Sequence, residues 1–280
     1  MLPFFFKKEN REMGIKFLSL SSGSSGNCYY IGTDSEGFLI DAGISARKIK
    51  KTLAEHGIDM AMVKGVCISH DHADHIAAAG YLGERMGKPV YVTKTTLEGM
   101  NRNWRMSEKI YTSHRFIFKE MSFSLAGFEI TPFEVPHDAH DNVGFFVKRD
   151  NWCMAFATDL GRITPTVKRF ISKAKYLVLE SNYDAEMLRN GKYNYFLKRR
   201  ILGENGHLCN SVTAKFLAES FCECCFKKVF LCHISNENNT PELALKTTTD
   251  ALIDAGAKIG EEIEVYALKR DKASELFILD

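Results

Sequence analysis

Ser69-His70-Asp71-His72-Ala73-Asp74-His75 places three imidazoles and two carboxylates within seven residues. It follows an apolar run, Val63-Lys64-Gly65-Val66-Cys67-Ile68, that reads as a buried strand. Neutral imidazole and carboxylate are ligands suited to zinc, iron or manganese. In an extended segment leaving a strand, residues two apart point the same way, so His70 and His72 are placed to grip one ion. Asp74 and His75 open the Ala-rich segment that follows, expected as a helix over 75–86, and face a second ion beside the first. The pattern H-x-H-x-D-H at a strand end is too dense and too specific for an ordinary surface loop.

The stretch resembles the metallo-β-lactamase superfamily, and the chain has the further residues this resemblance requires, in order, at expected strand ends. Asp41 follows Gly37-Phe38-Leu39-Ile40, and His137 closes the run 128–136. Asp159 closes 152–158, and His233 follows Lys228-Val229-Phe230-Leu231-Cys232. The resemblance implies an α/β fold, a four-layered αββα sandwich with no cap domain, and metals at one edge between the sheets. It implies that His70, His72 and His137 hold one divalent ion, that Asp74, His75 and His233 hold the other, and that Asp159 bridges them. Asp41 then orients a ligand and the metal-bound water. Two identities favour hydrolysis by a non-lactamase branch. Asp159 stands where β-lactamases of this fold commonly carry Cys, and His72 stands where di-iron oxidases commonly carry Glu. The interval from Asp159 to His233 is too short for the cap of the larger nucleases.

Four other segments are similar to the YycJ-like (WalJ-like) bacterial branch, short cap-less enzymes associated with 5′-to-3′ exonuclease activity. They are Ser22-Gly23-Ser24-Ser25-Gly26-Asn27, Leu179-Glu180-Ser181-Asn182, Gly206-His207-Leu208-Cys209-Asn210 and His233-Ile234-Ser235-Asn236-Glu237-Asn238-Asn239. Relatives usually show Glu-Ala-Asn-His and Gly-His-Leu-Ser-Asn. This chain departs at Ser181, Tyr183 and Cys209, and Tyr183 removes one possible active-site histidine.

The function implied is that of a dinuclear metal-dependent phosphodiesterase, a 5′-to-3′ DNA exonuclease in which hydroxide between the metals attacks phosphorus. Zinc is the expected metal, with manganese as the alternative. Asp74 is expected to relay a proton while holding its metal. His207 is expected to bind substrate phosphate, stabilise charge or protonate the leaving group, with a structural histidine tying down a loop as the plainer alternative. Expected substrate contacts are Ser24, Ser25, Asn27, Asn182, Asn210 and Ser235. The Ser/Gly loop is either a plain hairpin turn or a nest of backbone N–H groups for an anion, and a helix starting near Ser211, capped by Asn210, offers a second anion site. A small-molecule hydrolase acting on a thioester, lactone or cyclic nucleotide is the alternative. A non-catalytic metal-binding scaffold is disfavoured by the complete ligand set.

The remaining histidines have plainer readings. His140 competes with His137 for the ligand position, and His137 is preferred because it directly follows its strand. His56 reads as a surface residue at a helix end, and His114 as part of a polar loop.

Bulk properties set outer bounds. The chain has 280 residues, 45% of them hydrophobic, and a formal net charge of +2. That suits one domain with a large core and neither demands nor excludes nucleic acid. Local basic clusters, Arg47-Lys48 with Lys50-Lys51 and Lys198-Arg199-Arg200, read as solvated helix faces or as backbone-tracking patches. The eight cysteines lack zinc-finger spacing, including the cluster Cys222-Glu223-Cys224-Cys225. As unpaired thiols they suggest a reducing, cytoplasmic setting. No apolar run approaches the ~18 residues that span a membrane. Residues 1–12, with Phe4-Phe5-Phe6 ahead of Lys7-Lys8, read as an N-terminal extension to a domain over 13–280. Their charges lie on the wrong side for a signal peptide.

Overall fold

Strands that are apolar on both faces must be covered on both faces, and this requirement sets the layering. A computed structural model describes residues 14–280 as two seven-stranded mixed sheets with helices outside them. The expected extension over 1–12 lies outside the described residues. The first sheet holds β1 (Ile15–Ser21), β2 (Cys28–Gly32), β3 (Gly37–Ile40), β4 (Val63–Cys67), β5 (Val90–Val92), β6 (His114–Phe116) and the last strand, β14 (Phe277–Leu279), ordered β14-β1-β2-β3-β4-β5-β6. The second holds β7 (Phe123–Leu125), β8 (Phe128–Glu134), β9 (Val143–Arg149), β10 (Trp152–Ala157), β11 (Tyr176–Glu180), β12 (Lys228–Cys232) and β13 (Glu264–Ala267), ordered β13-β12-β11-β10-β9-β8-β7.

Side-chain alternation shares each strand between two cores. In β1, Ile15 and Phe17 enter the core between the sheets, while Leu18 and Leu20 enter the core outside the first sheet. In β10, Met154 and Phe156 point inward and Ala155 and Ala157 outward. Aromatic rings join the sheets across the middle, with centroids 4.7 Å apart for Phe17–Phe230 and 5.7 Å for Tyr29–Phe156. Each such ring contributes roughly 1.5–3 kcal/mol by burial. Outside the first sheet lie α1 (Ala46–Glu55), through Ile49 and Leu53, the short α2 (Ala73–Ile76), and α3 (Lys94–Arg102), through Leu97 and Met100. Outside the second lie α4 (Pro165–Ile171), α7 (Asn210–Ser220) and α8 (Pro241–Asp254), through Val167, Phe216 and Leu252. Between α4 and α7 run α5 (Ala185–Asn190) and α6 (Tyr195–Leu202). The fold is the αββα sandwich.

Some local expectations need correction. The helix expected over 75–86 is interrupted. It starts at Ala73, loosens after Ile76 and widens to a π-turn over Tyr81–Arg85, closed by Met86 N–H on the Tyr81 carbonyl at 3.2 Å. Gly80 lies against this kink, where a Cβ would stand 1.7 Å from the Glu108 carbonyl oxygen. The strand expected at 116–119 is shifted to β6, which places His114 in a strand and not in a loop. The helix expected from Ser211 begins at Asn210, and its cap is Cys209, with no side-chain capping bond. The edge strands β7 and β14, three residues each, had no signal in the sequence.

Strand direction places the site. β3 and β4 are parallel, as are β10, β11 and β12. β8 and β10 both run antiparallel to β9, so they share a direction. The carboxyl ends of these strands gather at one edge of the sandwich, where open α/β sheets commonly bind ligands.

Candidate metal centre

Three turns out of strands bend by an uncommon route. Asp41, Asp159 and His233, which follow β3, β10 and β12, have φ of 58°, 54° and 52°. Left-handed backbone in non-glycine residues costs about 1–3 kcal/mol each and persists where surrounding structure enforces it. Here all three residues belong to one polar cluster. The donor atoms of His70, His72 and His137 lie within 4.8 Å of one another, as do those of Asp74, His75 and His233. His70, His75 and Asp159 form a third such group, linking the other two. The structure therefore brings all seven expected ligand residues together.

Each buried imidazole is held by its Nδ1. His75 Nδ1 lies 2.7 Å from Asp41 Oδ2, and Asp41 is itself fixed by the Ser69 N–H at 2.8 Å. His137 Nδ1 donates to the Gly206 carbonyl at 3.0 Å. His233 Nδ1 lies 2.9 Å from Glu180 Oε1. These bonds set the tautomer and turn Nε2 towards the gap between the sheets. The Nε2 atoms of His70 and His233 and Oδ2 of Asp159 are buried without a hydrogen-bond partner among the described residues. Unpaired buried polar atoms are costly. Three in one cluster of imidazole and carboxylate fit a divalent cation.

Electrostatics agree with that fit. Burial pushes His70 well below the usual imidazole range, which leaves a neutral donor. Burial also opposes protonation of His75 and His233, but nearby carboxylates prevail. Asp41 and Asp159 raise His75 well above its usual value, and Asp159, Asp74 and Glu180 raise His233 to about 10. Asp159 is held well below the usual carboxylate range because His233 and His75 outweigh its burial. The cage demands positive charge, from protons on imidazole or from a bound ion.

The other expected residues have distinct placements. His207 is mostly buried beside the cluster, its Nδ1 2.7 Å from Glu180 Oε1 and its ring 5.0 Å from that of His137. Asn27 is buried, with Nδ2 3.3 Å from Asp74 Oδ2 and 3.0 Å from His75 Nε2. Ser24 and Ser25 are exposed at the tip of the Ser/Gly loop. Asn182 donates to the His233 carbonyl at 2.8 Å. Asn210 is enclosed in a network with Ser181 and Asn239. Ser235 Oγ accepts from the Asn238 N–H at 3.2 Å. His140 stands apart from the donor groups, with Nδ1 2.6 Å from Asp71 Oδ2. His56 caps the end of α1, its Nδ1 2.8 Å from the Thr52 carbonyl.

Two features had no role in the sequence reading. Glu180 is fully buried and meets both His207 and His233 through Oε1, while Oε2 accepts the Leu160 and Leu208 N–H groups at 3.2 and 2.8 Å. Its place in the Glu180-Ser181-Asn182 segment was the only available signal. Asp138 Oδ1 lies 3.5 Å from His137 Nε2 and 3.7 Å from His72 Nε2, and its carboxylate is bound by the Arg200 guanidinium. The adjacency of Asp138 to His137 could have suggested it.

Comparison with known proteins agrees with this geometry. Residues 37–234 match the family model described as the beta-lactamase superfamily domain. The chain is 34% identical over 255 residues to exodeoxyribonuclease YycJ of Bacillus anthracis, covering 91% of this chain and 95% of that one. It is 34% identical over 266 residues to exodeoxyribonuclease WalJ of Streptococcus pneumoniae, covering 95% and 98%. Among solved structures, the metallo-beta-lactamase fold protein YhfI from Bacillus subtilis superposes with a TM-score of 0.68 at 14% identity, covering 93% of this chain and 99% of that one. The match over most of the chain and the His/Asp cluster at the sheet edge lead to one conclusion: this chain belongs to the beta-lactamase superfamily, as a metal-dependent hydrolase of the YycJ/WalJ branch.

Proposed function

We propose that the protein is a dinuclear phosphodiesterase of the cytoplasm that degrades DNA from the 5′ end. The observation that carries this reading is the pair of three-residue donor groups joined through Asp159. The near full-length relatedness to two proteins named exodeoxyribonuclease supports the substrate. His70, His72 and His137 would hold one cation and Asp74, His75 and His233 the other, with Asp159 available to both. When bound, two divalent cations, zinc in our reading and manganese as the alternative, supply an activated water and neutralise charge on the phosphoryl group.

The protein's own residues do the rest. Asp41 fixes the His75 ring. Asp74, more exposed than Asp159 or Asp41, passes a proton while it keeps its ligand position. His207, fixed at Nδ1 by Glu180, offers Nε2 to the leaving oxygen or to a phosphoryl oxygen, which makes it the candidate acid or charge-stabilising donor. Asn27, beside Asp74 and His75, is the polar residue of the Ser/Gly loop nearest the chemistry. Ser24 and Ser25 are open to a phosphate, and Asn182, Asn210 and Ser235 hold the His207 and His233 segments that line the site. Among the described residues, no helix is long and apolar enough to cross a membrane.

Linear DNA labelled at either its 5′ or its 3′ end, with RNA of the same sequence and a panel of thioester, lactone and cyclic nucleotide, tests the proposal. We expect early release of the 5′ label as short product, slower loss of the 3′ label, weaker action on RNA, and arrest by chelator. Rapid turnover of a small ester or cyclic nucleotide without shortening of DNA would overturn it.

A further inference from the structure

Folding leaves the large aromatic side chain of Trp104 in water beside the metal centre. Trp104 is 80% exposed, whereas the other tryptophan, Trp152, is 5% exposed. The Arg105 guanidinium lies 4.5 Å from the Trp104 ring centroid. With one face covered by a cation and most of the residue still exposed, the other face is open. Trp104 lines a cavity of about 580 Å³ together with Arg102, His140, Asp138 and His72. The cavity is thus continuous with the metal donors.

This wall is tied to the metal motif. Asn103, which ends α3, donates from Nδ2 to the Asp71 carbonyl at 3.1 Å and accepts from Lys109 at 3.1 Å. A Cβ on Gly99 would stand 2.0 Å from Asp71 Oδ2, so α3 packs against the motif as closely as glycine allows. Asp71, between His70 and His72, also holds His140 through Nδ1 at 2.6 Å and the backbone N–H at 3.3 Å. Asp71 is the one charged residue of the Ser69–His75 stretch outside the donor groups, and its work is to join α3 and the loop at 138–140 to the two histidines.

We propose that this cavity is a nucleobase-stacking subsite, in which Trp104 stacks an unpaired base of the DNA strand and Arg102 meets a neighbouring phosphate. The assignment rests on the nuclease reading above. An exposed indole backed by an arginine, with a second arginine on the same wall, matches the chemistry of single-stranded nucleic acid: a π-face on each base and a negative charge on each linkage. A base reaches the indole only when it is unpaired, so single-stranded or frayed ends are the preferred substrates.

The holoenzyme and its Trp104→Ala, Trp104→Phe and Tyr111→Ala variants, assayed on a single-stranded oligodeoxynucleotide, provide the test. Tyr111 is another exposed aromatic, and it does not line the cavity. We expect Trp104→Ala to raise KM about 5- to 150-fold, the range of one lost base–aromatic stack. Trp104→Phe should keep most of the affinity, and Tyr111→Ala should match the unaltered enzyme. A phosphorothioate oligonucleotide should quench tryptophan emission, and an abasic strand of the same length should not. DNA cleavage with an unchanged KM in Trp104→Ala and no quenching would overturn the subsite and leave the nuclease reading standing. Loss of metal or a fall of several degrees in Tm in Trp104→Ala would also overturn it, since the role would then be structural. A protein that neither binds nor cleaves DNA would overturn both.

Discussion

Single residues separate into donors and the groups that aim them. The Ser69–His75 stretch was legible because ligand chemistry leaves a compositional mark: imidazoles and carboxylates at short spacing after a strand. The aiming groups leave little mark of their own. Glu180 is one glutamate among many in the sequence, and its importance arises only when β11 brings it between His207 and His233. Gly206 acts through its carbonyl, which no side-chain pattern reveals. The departures Tyr183 and Cys209 became intelligible in the fold, because they bridge to each other and pack together with Leu188 and Ile201. A consequence follows for Glu180→Gln. Glutamine keeps one acceptor oxygen, so its NH2 would face either the Leu160 and Leu208 N–H groups or the Nδ1–H groups of His207 and His233, and we expect a loss of about 1–3 kcal/mol of stability. Turnover should fall about 10- to 100-fold, as for other groups that orient metal ligands. His207→Ala should lower turnover about 10²-fold with metal content and Tm nearly unchanged. Metal analysis, melting and kinetics on the same preparations check both, and full activity in Glu180→Gln would contradict the aiming role.

At the scale of elements, legibility followed local chemistry. α8 shows its bounds in the sequence: Thr240 caps it through the Leu243 N–H, Pro241 takes the first helical position, and Gly256, at φ +90°, stands just beyond the end. The helix that begins at Ala73 was only half legible, because its break comes from contact with a distant loop. Glu84, in the π-turn, reaches that loop. Its Oε1 accepts the Tyr111, Thr112 and Ser113 N–H groups at 2.9, 2.9 and 3.0 Å. These bonds hold the Glu84 carboxyl well below the usual range. A carboxylate with a depressed folded-state pKa stabilises the fold above its unfolded value of about 4.3, and that contribution fades as pH falls below it. Glu84→Ala should therefore cost about 1–2 kcal/mol at neutral pH, reduced from the value for buried charged bonds by solvent screening. The gap from the unaltered protein should narrow steadily in melts below about pH 4. A gap independent of pH would show that the anchoring is not ionic. The short edge strands β7 and β14 carried no signal because three residues give too little alternation to read.

Across the whole molecule, the two sheets build the site jointly. The first contributes Asp41 and the motif from Ser69 to His75; the second contributes His137, Asp159, Glu180 and His233. The alternation of strands and helices, with the order of the strand-end residues, pointed to the four layers. How the layers converge depends on inter-sheet packing of rings such as Phe17, Phe156 and Phe230, and rings are spread too evenly along the chain to indicate their partners. The eight cysteines fit a packing role in part: Cys28, Cys67, Cys209 and Cys232 are buried, Cys222 and Cys225 are exposed, and all eight are free thiols. The proposed hydrolysis of DNA requires two cations at this sheet edge. Chelator-treated protein titrated with Mn²⁺ or Zn²⁺, with nucleotide release from linear DNA followed at each addition, decides the matter. We expect no release from the metal-free protein and a plateau at about two equivalents per chain, as a two-ion mechanism demands. Undiminished release without metal, or a plateau at one equivalent, would contradict it.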